Sequence, residues 1–161
     1  MEPTFAYTIS DKAARYEQFL KDFLPYIADE NEEVSVLANT TAALRQAFGW
    51  FWIGFYLVRN DQLILGPFQG DMACYRISKG RGVCGTAWAE ATTQVVPDVD
   101  LFPGHIACSG SSRSEIVVPL IVDGVVYGVL DIDSDTLATF DDTDRHYLEI
   151  LCRHLCDAVY A

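Results

Sequence analysis

The chain has 161 residues and a net charge of −12, from 11 Lys and Arg against 23 Asp and Glu. This length predicts one domain with a single core, and a hydrophobic content of 50% is typical of a globular protein. The acidic balance argues against a nucleic-acid partner, because such a partner requires a basic surface.

The first residues lack the basic and apolar regions of a signal peptide, and the longest apolar run, "WFWIGFYLV", is too short to span a membrane. We therefore predict a cytoplasmic protein with no membrane partner. In that compartment, its five cysteines are expected to be reduced, catalytic or metal-binding rather than structural disulfides.

Hydrophobic periodicity predicts two helices at the start of the chain. The first is expected at residues 11–27, with Ser10 as its N-cap and with Pro25 disturbing or ending it. The second is expected at residues 32–48, with Gly49 as its C-terminal cap. The apolar stripe predicted for the second helix comprises Val34, Leu37, Ala38, Thr41, Leu44 and Phe48.

The hydrophobic period then changes to two, which predicts strands. The expected strands are residues 50–58, 63–65, 73–77, 94–96, 115–122 and 125–133. A loop at 66–71, a short helix at 83–90, a long loop at 97–114 and a final helix at 141–160 complete the chain. This order predicts an α+β fold: a central, mostly antiparallel sheet, with the N- and C-terminal helices on one face and a ligand pocket on the other.

Alternation sorts the side chains of the first strand onto two faces. One face is expected to hold Phe51, Ile53, Phe55 and Leu57, and the other Trp50, Trp52, Gly54, Tyr56 and Val58. On the last strand, Asp131 and Asp133 share a face. They form either a solvated strand end or a paired acid site for a metal or a cationic ligand.

Glu115 raises a question of register. Asp123-Gly124 predicts a two-residue hairpin turn, and strict pairing from that turn would place Glu115 opposite Ile132. Glu115 would then face away from Asp131 and Asp133. A β-bulge, or a position before regular pairing begins, would be needed to bring the three carboxylates together.

The cysteines form no Cys-x-x-Cys pair, which argues against a structural zinc site. Cys152 and Cys156 lie four residues apart on the final helix and are expected to be residues of a helix face with no redox role. Cys84 begins the short helix, whose N-terminus is expected to lower its thiol pKa. Cys108 lies in a polar loop, and together with Cys74 and Cys84 it indicates thiol attack on an electrophile followed by disulfide formation.

Four segments, "LILGPFQGDMAC", "GRGVCGTA", "DLFPGHIACSGSSRSEIVVPL" and "GVLDIDS", resemble the free methionine-(R)-sulfoxide reductases, which are stand-alone GAF-domain enzymes. The similarity extends from about residue 32 to the C-terminus. The resemblance implies a single GAF domain over residues 1–161, with a core at 32–160 preceded by the first helix. The segment "GVLDIDS" alone would indicate only a GAF domain, whereas the three cysteines in their own motifs point to the reductases.

The resemblance also implies roles for individual residues. Cys108 is implied to be the nucleophile, Cys74 the resolving thiol and Cys84 a third redox thiol. The residues implied to line the substrate pocket are Glu115, Asp131, Asp133, Trp52 and Tyr56. The implied substrate is free methionine sulfoxide, the reductant is thioredoxin, no metal or cofactor is required, and a homodimer is possible.

Two other functions stay open on the residues alone. One is a GAF sensor module that binds a small molecule without chemistry. The other is a hydrolase that pairs Cys108 with His105, although the sequence offers no clear group to orient that histidine.

Overall fold

The computed structural model of the chain describes residues 4–105 and 110–161. Within these residues, four α-helices surround a six-stranded antiparallel sheet with the strand order β3-β2-β1-β6-β5-β4. The helices are α1 (Lys12–Ile27), α2 (Glu33–Phe48), α3 (Gly82–Glu90) and α4 (Asp142–Val159). The strands are β1 (Trp52–Arg59), β2 (Gln62–Gln69), β3 (Arg76–Ser78), β4 (Gln94–Val96), β5 (Ser114–Val122) and β6 (Val125–Ser134).

Each face of the sheet packs into its own apolar cluster. Helices α1, α2 and α4 pack on one face, together with Ile53, Phe55 and Leu57 of β1. Helix α3 covers part of the opposite face, where Trp52 and Tyr56 of β1 lie. The predicted α+β architecture is confirmed. None of the helices in the described part of the chain is long and apolar enough to cross a membrane.

The predicted alternation holds within β1 and fails just before it. Trp50 packs in the cluster of the terminal helices and Phe51 in the cluster of α3, which is the reverse of the prediction. Both residues precede β1, so the period of two does not apply to them. Trp50 instead stacks on Phe48 at the end of α2, with ring centroids 4.4 Å apart.

Helices α1 and α2 end where predicted, but each begins one residue later than predicted. The N-cap of α1 is Asp11 rather than Ser10, because the Asp11 carboxylate accepts a hydrogen bond from the Ala14 N–H at 2.9 Å. Pro25 lies inside α1, which ends two residues later. Gly49 caps α2 in the left-handed conformation, as predicted, with φ of 68°.

The apolar stripe predicted for α2 is correct only in part. Leu37, Thr41 and Leu44 are buried, but Val34 is 65% exposed. The buried side instead includes Val36.

Strand β2 is longer than predicted, because the segment at 66–69 pairs with β1 rather than forming a loop. Gly54 pairs with Phe68, past a register irregularity between Gly54 and Tyr56. Pro67 is compatible with this strand because β3 pairs only with Gln62 to Ile64, which leaves the other edge of β2 unpaired at Pro67. Strand β3 is correspondingly short, so Cys74 lies in the connection before it and not on a strand.

The β5–β6 hairpin contains the bulge on which the position of Glu115 depends. Its turn is Asp123-Gly124, with φ of 50° and 79°, as expected for a hairpin turn. Ile121 pairs with Val126, but Leu120 pairs with Gly128, so Tyr127 is an extra residue on β6.

Beyond the bulge, the register is shifted by one residue. Glu115 pairs with Asp133 and not with Ile132. Since directly paired residues share a face of the sheet, Glu115 lies with the two aspartates. The bulge alternative is confirmed.

Asp144 links α1 to α4 through side-chain hydrogen bonds. Its carboxylate accepts hydrogen bonds from the Tyr16 hydroxyl at 2.5 Å and the Lys12 ammonium at 2.7 Å. It also completes a capping box with Asp141 at the start of α4. Asp144 is only 2% exposed, so these partners compensate a buried charge.

We expect Asp144→Ala to lower the free energy of unfolding by about 2–4 kcal/mol, since a helix cap and hydrogen bonds to a charged group are lost together. Asp142→Ala is the matched control, because Asp142 is exposed in the first turn of the same helix. Its expected cost is below about 1 kcal/mol. Urea unfolding measures both variants, and equal losses would contradict this account.

Candidate active site

A pocket lies on the face of the sheet that α3 covers. Its walls come from β1, the segment after β2, the start of α3, and strands β5 and β6. The predicted site residues that line it are Trp52, Tyr56, Cys84, Glu115, Asp131 and Asp133. Cys74 is adjacent to Ala73, which lines the pocket, and Cys108 falls outside the described residues.

Strand register places the polar and aromatic residues side by side. Asp133 pairs with Trp52 on one side and with Glu115 on the other, so these three residues form a row across β1, β6 and β5. Two residues along β6, Asp131 pairs with Gly54. The interpretation of Asp131 and Asp133 as a solvated strand end is wrong for Asp131, which is 5% exposed.

The three carboxyl groups are crowded and poorly hydrated. Burial, followed by the charges of Asp131 and Asp133, raises the pKa of Glu115 well above its usual range. Burial and the charge of Asp131 do the same to the pKa of Asp133, which is half-buried. Burial also raises the pKa of Asp131, although hydrogen bonding to Glu115 and Cys84 partly offsets it. Ionisation of all three carboxyl groups at once is therefore disfavoured.

Few groups compensate this negative charge. Ser112 donates a hydrogen bond to Asp133 at 3.0 Å, and His105 Nε2 lies 3.9 Å from Glu115 Oε1. Asp131 Oδ1 is buried and has no hydrogen-bond partner among the described residues. Within that same set, the basic residues that line the pocket are His105 and Arg81, and Arg81 is exposed. The pocket can therefore accept a cation.

Two glycines make space for an aromatic wall. A Cβ atom at Gly54 would lie 2.4 Å from the Trp52 ring, and one at Gly70 would lie 2.6 Å from it. The indole therefore occupies space that a side chain at either glycine would take, and its N–H donates to the Asp71 carbonyl at 2.9 Å. Trp52 also stacks on Tyr56, with ring centroids 6.1 Å apart. This wall presents an apolar surface next to Asp133, the strand partner of Trp52.

The cysteines have very different environments. Cys84 is a free, buried thiol, and burial together with Asp131 and Glu115 raises its pKa well above the usual range. The prediction that the helix N-terminus lowers this pKa is therefore wrong, because the adjacent carboxylates and burial dominate. Cys74 is disulfide-bonded, and its carbonyl accepts a hydrogen bond from the Tyr56 hydroxyl at 2.9 Å.

Cys152 and Cys156 are free and buried on α4. Burial raises the pKa of Cys152 well above its usual range and that of Cys156 to about 11. These thiols are packed into the cluster of the terminal helices.

Three contributors to the site were not recognised in the sequence. The sequence suggests His105 only as a possible hydrolase residue, gives no signal for Ser112, and places Gly54 on the Trp52 face of the first strand without a role. The Gly in the middle of an aromatic strand was a usable signal, because glycine in a strand often marks the close approach of another group. His105 and Ser112 lie in an irregular segment that carries no periodicity, so no comparable signal exists for them.

We expect Glu115→Gln to raise the free energy of unfolding at neutral pH by about 1 kcal/mol or more, because each unit of pKa elevation costs about 1.4 kcal/mol once the group ionises. A raised carboxyl pKa lowers stability as the pH rises from the unfolded pKa to the folded pKa. The gain over the wild type should therefore be larger at pH 8 than at pH 5.

Thermal unfolding across this pH range measures the effect. Glu90→Gln is the control, because Glu90 is exposed at the end of α3. A Glu115→Gln variant that is less stable than the wild type, or a gain that does not grow with pH, would refute the charged-cluster account.

Comparisons with known proteins place this geometry in a family. Residues 30–159 match the model of the GAF domain. The chain is 47% identical over 146 residues to the free methionine-R-sulfoxide reductase of Escherichia coli, covering 90% of this chain and 88% of that protein. It is 54% identical over 138 residues to GAF domain-containing protein A of Dictyostelium discoideum, covering 85% and 87%.

A solved structure gives the same result. The free methionine-R-sulfoxide reductase of Neisseria meningitidis, in complex with its substrate, superimposes with a TM-score of 0.94 at 55% identity. The match covers 98% of this chain and 95% of that one.

Proposed function

The chain belongs to the GAF domain family and, within it, to the free methionine-R-sulfoxide reductases, and from this premise we propose that it reduces free methionine (R)-sulfoxide by thiol chemistry. As a member of this family it is an oxidoreductase. The observation that carries the mechanistic proposal is the buried cluster of Glu115, Asp131 and Asp133 against the Trp52 wall. The negative charge of this cluster favours binding of a cation, and a protonated carboxyl group in it can act as a general acid.

The cluster would bind the ammonium group of the substrate. Asp131 Oδ1 has no partner among the described residues, and the repulsion among the three carboxyl groups would fall when a positive group enters. The free amino acid carries this ammonium group, whereas a residue inside a peptide does not. This requirement supports selectivity for the free amino acid.

The α-carboxylate of the substrate would lie at the start of α3. The first N–H groups of a helix lack intrahelical partners and bind anions. Gly82 and Val83 begin α3 and line the pocket. The S-methyl group would then pack on the Trp52 ring, which is the apolar part of the wall.

The reduction transfers the sulfoxide oxygen to a cysteine. In this proposal, a carboxyl group protonates the sulfoxide oxygen as the Cys108 sulfur attacks the substrate sulfur, and the thiol proton returns to the carboxylate. The oxygen then passes to the Cys108 sulfur as the bonds from the substrate sulfur to the oxygen and to Cys108 break. Methionine is released as the substrate sulfur gains two electrons, and Cys108 loses them to become a sulfenic acid. Glu115 and Asp133 are the candidate proton donors, because their pKa values are raised well above the usual carboxyl range.

Cys74 would then resolve the sulfenic acid. Its thiol attacks the oxidised sulfur, a disulfide forms and water leaves. The disulfide that Cys74 already makes supports this role, since it shows that its sulfur can reach another thiol. Cys84 is less suited to the first attack, because burial and carboxylate charge keep it protonated.

Thioredoxin, or a dithiol of that type, would reduce the disulfide and return the enzyme to its starting state. This recycling requires a reducing compartment, which is consistent with the cytoplasmic location predicted from the lack of a signal peptide and of a membrane-spanning run. The cycle needs no metal or organic cofactor, and a homodimer is compatible with it.

The two rival functions have less support. A sensor module would not require the crowded carboxyl groups to retain protons, although it could share the fold. A hydrolase would need a group that orients His105, and the described carboxylate that pairs with it, Glu115, lies 3.9 Å away, which is longer than a hydrogen bond.

We expect Cys108→Ser to abolish methionine formation, and Cys74→Ser to release about one methionine per chain and then stall with thioredoxin. Methionine is measured by chromatography, with and without thioredoxin, its reductase and NADPH. Cys152→Ala is the control and should turn over fully, because Cys152 is buried on α4 outside the pocket. Full thioredoxin-dependent turnover by Cys74→Ser would show that another thiol resolves the sulfenic acid.

A further inference from the structure

One cluster in the pocket combines a thiol with carboxylates in a way that the reductase chemistry does not require. The Cys84 sulfur comes from the first turn of α3, and the carboxylates of Glu115 and Asp131 come from β5 and β6. One ligand atom from each of these residues lies within 4.8 Å of the other two. All three residues are buried, with 4%, 6% and 5% exposure.

The distances suit a small tetrahedral ion. Zinc binds thiolate sulfur at about 2.3 Å and carboxylate oxygen at about 2.0–2.2 Å, so its tetrahedral ligand atoms are about 3.3–3.6 Å apart. The ligand atoms lie at most 4.8 Å apart, so contraction to these distances requires movements of about 1 Å or less at each side chain. Asp131 Oδ1 lacks a hydrogen-bond partner within the described residues, so an ion would give this buried oxygen a partner.

His105 is the candidate nitrogen ligand, but it lies outside the group whose ligand atoms are all within 4.8 Å of one another, so it must move to bind the ion. His105 Nε2 lies 3.9 Å from Glu115 Oε1, and the His105 side chain is only 16% exposed. A set of one sulfur, one nitrogen and two oxygens fits Zn²⁺, whereas Mg²⁺ and Ca²⁺ require more ligands that are all oxygen.

We propose that Cys84, Glu115 and Asp131, with His105 as the fourth ligand, form an inhibitory zinc site in the substrate pocket. The ion takes the place that the substrate ammonium group would occupy, so zinc and substrate exclude each other. It also holds the Cys84 sulfur as a metal ligand, which removes this thiol from redox chemistry. The ion is thus an inhibitor and not a cofactor. Binding of zinc stands on geometry alone, whereas its competition with substrate rests on the proposed function.

Direct titration tests the site without relying on activity. The protein is used with its Cys74 disulfide intact and is titrated with Zn²⁺ against a chromophoric chelator. We expect one tight site per chain. Cys84→Ser and Asp131→Asn should each weaken it at least tenfold, whereas Cys152→Ala/Cys156→Ala should bind as the wild type does. Absence of a stoichiometric site, or unchanged binding in Cys84→Ser and Asp131→Asn, would overturn the proposal.

Two further measurements identify the ligands and the competition. Co²⁺ in place of Zn²⁺ should give a thiolate-to-metal charge-transfer absorption in the wild type that Cys84→Ser lacks, and its persistence in that variant would exclude Cys84 as a ligand. Methionine should raise the apparent dissociation constant for Zn²⁺ in proportion to its concentration. Zinc that binds equally well with saturating methionine would refute the inhibitory role. A lack of reductase activity with intact zinc binding would instead refute only the proposed function.

Discussion

The binding and chemistry proposed for this protein depend on the mutual repulsion of three carboxyl groups on one largely buried patch of the sheet. Glu115, Asp131 and Asp133 come from two neighbouring strands, and burial raises the pKa of each. The protein maintains this unfavourable arrangement by fixing the strands from behind with the large apolar cluster of α1, α2 and α4. The electrostatic cost of this arrangement favours cation binding, because a bound cation reduces the repulsion among the three carboxyl groups.

The constraint depends on one extra residue. Tyr127 shifts the register of β5 against β6, and without this shift Glu115 would point into the opposite cluster. The sequence indicated that either a bulge or a position before regular pairing was needed for the three carboxylates to meet, but it did not show which of the two applies or where a bulge would lie. Bulges depend on pairing between strands and carry no period of their own, so the pattern of a single strand cannot reveal them.

In the rest of the fold, the sequence predicted most of the helices and strands, but fewer of the environments of individual side chains. Helices α1, α2 and α4 follow from their apolar spacing, the end of α2 follows from Gly49, and the turn at Asp123-Gly124 follows from its residue types. The extension of β2 through Pro67 could not be predicted, because it depends on how little of β2 is covered by β3. The pKa of Cys84 could not be predicted either. The helix start is local in sequence, but the carboxylates that oppose its effect are brought to it by the fold.

The protonation state of the cluster is the most direct test of this account. Carbon-13 NMR of the side-chain carboxyl groups of Glu and Asp, with single substitutions for assignment, can follow Glu115, Asp131 and Asp133 as the pH is varied. We predict that at least one of the three is protonated near pH 7 without ligand and ionises when methionine or its sulfoxide is added. If all three are ionised near pH 7 in the free protein, with pKa values near the usual value of about 4, the central claim is wrong.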